Sequence, residues 1–198
     1  MRASNKPQGV RERLFRTALK AFAEHGFAEV SVEEIVKAAR TTKPMLYYYF
    51  GNKAGLYQTI GEEVFARLRT GYAAAADDSK PALERLRAFV LADFRTMRES
   101  PDLARFIYRT AYSAPRDAPA IDYWKLFMPS FSIVTSIVEA AQAGGLIGPG
   151  APPLLALPLF GLMSIWSQVH LGGPMGGMLE DAQAEAVVQF YLNGVGKK

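Results

Sequence analysis

At 198 residues the chain is long enough for one large domain, or for a small one beside a medium one, with ample surface to bury. It has no cysteine and only two histidines, His25 and His170, which excludes disulfide scaffolds, structural zinc and thiol chemistry. The net charge of +4 is unevenly spread: residues 1–60 hold 10 Lys/Arg against 5 Asp/Glu, while residues 61–198 hold 13 against 14.

The first residues are polar and contain no apolar signal segment, which leads to the expectation of a soluble, cytoplasmic protein. Arg2, Lys6, Arg11 and Arg13 are placed either to meet phosphates or to form a solvated tail. A first helix is expected over residues 10–25, ended by Gly26-Phe27. Ser31 then stands as an N-cap, Glu34 follows three residues on to complete a capping box, and Val30 and Ile35 are spaced to close a hydrophobic staple. Val32, Ile35, Val36 and Ala39 line one face of the helix that starts there. The pattern stops at Arg40-Thr41-Thr42, whose threonines favour caps and turns.

Pro44 suits the first turn of the next helix, and Thr42 is expected to cap it. Leu46 and Phe50 share one face and should pack inward. At 100° per residue Pro44 and Tyr48 point the opposite way, with Met45 and Tyr47 on the flanks and Lys43 nearer the buried side. Taken singly these signals are ordinary, since a capping box marks any helix start and clustered tyrosines are more often half-buried packing. Combined within residues 31–53, with a further helix start at Asn52, they outline a helix-turn-helix DNA reader. Lys53 in the first turn of a helix opposes the macrodipole unless an anion sits beside it, and a DNA phosphate would be that anion.

A long helix over about 53–76 carries Leu56, Ile60, Val64 and Leu68 at four-residue steps, and Asp77-Asp78-Ser79-Lys80-Pro81 breaks it. Further helices are expected over 83–99, 103–112 after Ser100-Pro101, 123–143 before Gly144-Gly145, 154–171 and 180–193, with loops at 114–119, 148–153 and 172–177. No strand-period run or repeat competes, so the expected fold class is all-α. Residues 140–179 hold no Asp, Glu, Lys or Arg, and 154–171 approaches bilayer-spanning length. Pro158, Gln168, His170 and the lack of flanking Lys/Arg anchors argue against a membrane helix; burial against its own domain and a second subunit accounts for it better.

The 10–25 helix, the Phe-Ala-Glu-Val-Ser-Val-Glu-Glu-Ile segment and Thr-Thr-Lys-Pro-Met-Leu-Tyr-Tyr-Tyr-Phe-Gly-Asn-Lys-Ala-Gly-Leu-Tyr resemble the tetracycline-repressor-like (TetR) family of bacterial transcriptional regulators over roughly residues 8–68. The resemblance implies a three-helix helix-turn-helix DNA-binding domain at 8–68, with the motif itself at about 31–50, and a helical effector-binding and dimerisation domain at 69–198. It implies that residues 43–50 are the recognition helix. Lys43, Pro44 and Met45 then approach base edges, Tyr47, Tyr48, Tyr49 and Lys53 meet phosphates, and Thr42 lies at the helix mouth. Tyr49 stands where many members carry His, and Gly51 where Lys is frequent.

The resemblance also implies a homodimer formed through the last two helices. Symmetry agrees, since a two-fold dimer matches a pseudo-palindromic double-stranded operator. A cavity for a small, mostly apolar or aromatic effector is expected between the central helices. Its candidate lining is Phe94, Met97, Phe106, Tyr112, Trp124, Phe127, Phe131, Met163, Trp166 and His170, with Gln168, Tyr112 and His170 as polar handles, although aromatics at helical spacing more often make core. No metal or cofactor is expected. The sequence holds no nucleophile elbow, metal-ligand cluster or phosphate-cradling glycine loop, so an enzyme is not expected. The functional expectation is a homodimeric repressor released from DNA by its effector; the competing one is a helical ligand-binding or membrane-associated protein without a DNA role.

Overall fold

A computed structural model describes residues 7–112, 118–172 and 179–196, without the side chains of Pro7, Gln8 and Tyr112. Arg2, Lys6, most of the 114–119 and 172–177 loops, and the Tyr112 side chain therefore lie outside the described residues. The described helices are α1 (Pro7–His25), α2 (Val32–Ala38), α3 (Lys43–Phe50), α4 (Lys53–Gly71), α5 (Ala82–Glu99), α6 (Pro101–Tyr112), α7 (Tyr123–Ala143), α8 (Pro152–Gly172) and α9 (Asp181–Val195). The all-α expectation holds. The fourth helix ends at Gly71, earlier than expected, and the chain continues to Ala76 in turns closed by Tyr72 and Ala73 carbonyls.

The chain divides into two compact units, the first comprising residues up to Phe65 together with Asp102–Tyr123. Its core is built from the inner faces of four helices: Leu14, Phe15, Ala18 and Phe22 of α1, Ile35 of α2, Leu46 of α3, and Leu56, Ile60 and Val64 of α4, all nearly inaccessible to solvent. Each of these side chains apart from Ala18 stabilises the fold by roughly 1.5–3 kcal/mol on burial. From α6, the Phe106 ring meets Tyr57 at 5.1 Å, and Tyr57 meets the Phe22 ring edge-on at 5.2 Å.

Arg109 of α6 fastens the same region. Its guanidinium donates to the carbonyls of Ala23, at 3.3 Å, and Glu24, at 3.0 Å, two of the acceptors that the end of α1 leaves open. Gly26 follows at φ +83°, where a β-carbon would also stand 3.1 Å from Arg109 Nε. Glycine is thus favoured there twice, by backbone conformation and by the approaching guanidinium.

The second unit comprises Ala66–Pro101 and the chain from Trp124 onward. Its core takes Leu86, Phe89, Val90 and Phe94 from α5, Val134, Ile137 and Val138 from α7, Leu159 and Met163 from α8, and Val187, Val188 and Tyr191 from α9. Arg87 binds Glu185 through two bonds of 2.9 Å, tying α5 to α9. The buried Arg85 donates to Ala75 O and Ser136 Oγ, each at 3.0 Å, and pairs with Asp78 at 2.6 Å. Asp93 is also buried. It accepts the Tyr72 hydroxyl at 2.6 Å, and burial pushes its carboxyl up to about 6, only partly opposed by that bond.

Candidate nucleic-acid interface

The helix-turn-helix segment is built from its caps. Ser31 Oγ accepts the Glu34 N–H at 3.2 Å, while Glu34 Oε2 accepts the Ser31 N–H at 2.8 Å, completing the reciprocal box. The hydrogen bonds from Ser31 hold the Glu34 carboxyl below its usual range. Thr42 is the N-cap of α3 through its backbone, but its hydroxyl makes no capping bond. The reason is local: Pro44 has no N–H to give, and the Met45 N–H is taken by the Thr42 carbonyl at 3.1 Å.

Leu46, at 0 % exposure, and Phe50, at 7 %, anchor α3 as their spacing predicts. Tyr48 is 79 % exposed and Tyr47 47 %, so both present their rings outward. Thr42, Lys43 and Pro44 are exposed, and Met45 and Tyr49 half-buried. The Tyr48 and Tyr49 rings meet edge-on at 4.9 Å, which restrains the outer face of the helix.

Lys43 departs from its expected place nearer the buried side, because its ammonium reaches across to Glu33 in the first turn of α2. That pairing raises the Lys43 pKa and lowers that of Glu33. The Lys53 ammonium lies 4.2 Å from the centre of the Phe27 ring. Burial lowers its pKa. Arg11 is placed over the Phe50 ring at 5.4 Å and pairs with Glu63. Beside Lys53, the Asn52 side chain accepts the Gly55 N–H at 2.8 Å, and a β-carbon at Gly55 would overlap the Phe50 carbonyl. The sequence marks Phe27 only as part of a helix end and Glu33 and Gly55 only as parts of the family-like segments, since what each does depends on a partner on another element.

In the second unit, Phe94, Met97 and Met163 are buried, Phe127, Phe131, Trp166 and His170 half-buried, and Trp124 is 66 % exposed. Phe106 lies in the first unit instead, against Tyr57. Phe127 and Phe131 are 5.7 Å apart and both meet Phe160, at 4.9 and 5.8 Å; Phe160 meets Phe89 at 5.8 Å, and Phe89 meets Tyr72 at 4.3 Å. Phe160 and Tyr72 complete a ring cluster that the sequence did not single out. Ser130 Oγ, Ser167 Oγ and His170 Nδ1 are buried and find no hydrogen-bond partner among the described residues.

The outer faces of α8 and α9 expose Leu154, Leu157, Ile165 and Phe190. Between them runs a shallow groove of about 380 Å³ lined by Pro158, Gly161, Leu162, Ile165, Phe190 and Gly194. By length and composition alone, α7 and α8 are long and apolar enough to cross a membrane.

Residues 14–60 match the family described as bacterial regulatory proteins of the tetR family. Over 106 residues the chain is 28 % identical to the HTH-type transcriptional repressor SCO4008 of Streptomyces coelicolor, covering 54 % of this chain and 52 % of that protein. The chain thus matches about half the length of that relative. Among solved structures, a bacterial regulatory protein in the tetR family from Rhodococcus RHA1 superposes with a TM-score of 0.80 at 21 % identity, over 99 % of this chain and 100 % of the other. The transcriptional regulator FadR from Bacillus subtilis, solved with stearoyl-CoA, superposes with a TM-score of 0.77 at 17 % identity, over 93 % of this chain and 98 % of the other.

Proposed function

This chain is a TetR-like protein, and on that premise we propose that it is a sequence-specific DNA-binding transcriptional regulator acting as a homodimeric repressor. The observation that carries this reading is the mounting of α3. Leu46 and Phe50 fix it from beneath, and Tyr47 and Tyr48 stand outward beside the cation of Lys43. Lys43, Pro44 and Met45 at the amino end of α3 are assigned to base edges, and Tyr47, Tyr48, Tyr49 and Lys53 to phosphates, with Thr42 at the mouth of the helix. Lys43 must then exchange the carboxylate of Glu33 for an acceptor on DNA.

The exposed aliphatic face of α8 and α9 is assigned to a second copy of the chain, which would set two recognition helices against a pseudo-palindromic operator. This accounts for the apolar length of α8 without a membrane and suits a protein working in the cytoplasm. A small, mostly apolar effector is assigned to the second unit, whose ring cluster and scarcity of charge on α7 and α8 suit it; the fold neighbour FadR was solved with stearoyl-CoA, of which only the acyl chain is of that class. Repression is relieved when the effector binds better to the form of the dimer whose recognition helices do not match the groove spacing. The role is binding rather than catalysis.

Selection of bound duplexes from a random pool tests the DNA role, and a pseudo-palindrome should emerge. On that duplex, Tyr47→Phe should cost about 1 kcal/mol if its hydroxyl meets a phosphate. Lys53→Ala should reduce the salt slope by about one per subunit. Failure to enrich any sequence removes the DNA reading; enrichment with wild-type behaviour in both variants removes only the phosphate roles.

A further inference from the structure

The turn that leads into α3 holds an arginine in a conformation suited to glycine. The Thr41 N–H donates to Val36 O at 2.9 Å and the Arg40 N–H to Lys37 O at 3.1 Å, the paired closure of a Schellman motif. This closure sets Arg40 at φ +50°, and Arg40 is the one non-glycine residue with positive φ among those described. A β-carbon is disfavoured there, so the fold alone would select glycine. An arginine kept at such a place is evidence that its side chain is used.

That side chain stands in a basic cleft of about 470 Å³ within the first unit. Arg13, Arg16, Thr17 and Lys20 form one wall, at the spacing that places them on a single face of α1. Ala38, Ala39 and Arg40 form the opposite wall, and Asp102, in the first turn of α6, completes it. Four cations thus face one carboxylate, and that carboxylate lies 3.5 Å from Arg105. Glu12 touches Arg16 only at 4.0 Å. The carboxyl end of a helix ordinarily repels an anion. Here the carbonyls of Val36 and Lys37 are taken by Thr41 and Arg40, and that of Ala39 by Arg13 Nε at 3.1 Å.

We propose that this cleft is a phosphate-binding site, in which Arg13, Arg16, Lys20 and Arg40 and the hydroxyl of Thr17 hold a phosphate oxyanion. Guanidinium forks match the oxygen spacing of phosphate, and Arg13 is already oriented by its bond to Ala39. The phosphate has two conceivable sources with the same chemistry: the backbone of a duplex, or a free phosphorylated small molecule. Apart from Arg13, which the sequence already offers to phosphates, the site uses none of the residues assigned above to operator contacts; its duplex source rests on the DNA reading, while its free-phosphate source is tested without DNA.

The test uses the full chain as wild type, Arg40→Gly and the double variant Arg16→Ala/Lys20→Ala. One arm titrates inorganic pyrophosphate by calorimetry at low salt without DNA. The other measures the salt dependence of binding to a random-sequence duplex. Arg40→Gly should raise Tm by about 2–4 °C, because glycine relieves the turn. It should nevertheless bind the phosphate about tenfold more weakly, the loss of one charge-assisted contact. Saturable pyrophosphate binding in the wild type, weakened in both variants, assigns the cleft to a free ligand. No pyrophosphate binding, with a duplex salt slope reduced by about one or more per subunit in both variants, assigns it to the DNA backbone. Wild-type behaviour of both variants in both arms overturns the proposal. So does weaker binding of Arg40→Gly accompanied by a lower Tm, which would make Arg40 a structural residue.

Discussion

The outer face of α3 and the outer faces of α8 and α9 both expose large side chains, yet their chemistry differs. On α3 the exposed rings are Tyr47 and Tyr48, each ending in a hydroxyl, and Lys43 lies on the same helix. On α8 and α9 the exposed groups are Leu154, Leu157, Ile165 and Phe190, which have no polar tip. The first face offers donors and suits a partner covered with acceptors; the second offers only area to be removed from water and suits an apolar surface like itself. The difference lies at the ends of the side chains rather than in how much apolar area is exposed.

One acid of the second unit is held unlike the others, for Asp77 and Glu185 of that unit are lowered by their hydrogen-bond partners. Glu33 and Glu34 of the first are likewise solvated and held below the ordinary carboxylate range by their partners, whereas Asp93 of the second is enclosed and pushed above it.

Detaching the α3 face from its support should have the largest effect. Leu46 is fully buried, and Leu46→Ala should cost about 2–5 kcal/mol of stability in chemical denaturation. A loss under about 1 kcal/mol would mean that the tyrosine face is not braced from beneath. Next comes the aliphatic face, where Ile165→Glu places a charge in the groove between α8 and α9. Light scattering at micromolar protein should show the proposed dimer dissociating, with operator affinity reduced about a hundredfold through the lost second half-site. A dimer that survives the substitution would assign that face to some other cover.

The last and most gradual effect is the pH response of Asp93. With its carboxyl raised to about 6 in the folded protein from an ordinary 3.8, the native state holds the proton more tightly than the unfolded state. Stability is therefore unaffected below about pH 3.8, falls as pH rises through the window up to about 6, and stays reduced above it. The loss across the whole window is on the order of 3 kcal/mol. Asp93→Asn keeps an acceptor for the Tyr72 hydroxyl and cannot ionise, so its stability should be nearly flat between pH 4 and 7. The same decline in the variant would trace it to a different group.

Much of the fold was legible because its signals are local. The Ser31/Glu34 box, the inward pair Leu46 and Phe50, and the start of α7 at Tyr123 depend on residues within one or two turns of each other, where periodicity and caps leave a pattern. What stayed hidden depends on residues brought together from afar. The Glu33–Lys43 pair, the seat of Lys53 on Phe27, and the grouping of α6 with the amino-terminal helices join elements with no shared spacing. Thr42 shows the reverse case, a sound local signal overridden by the neighbouring Pro44, which removes the donor a threonine cap would use.

The bonds from Arg109 to the end of α1 carry a consequence for how the chain is made. They join positions 85 and 86 residues apart, and Phe106 of the same helix meets Tyr57 from 49 residues along the sequence. On the ribosome, helices α1 to α4 emerge well before α6 exists. Until it does, Tyr57 lacks the Phe106 ring that it packs against and the last turn of α1 lacks its cap, so the amino-terminal unit completes its fold only as the middle of the chain is synthesised. A fragment cut after Gly71 would contain the whole helix-turn-helix segment and still be missing part of its own interior.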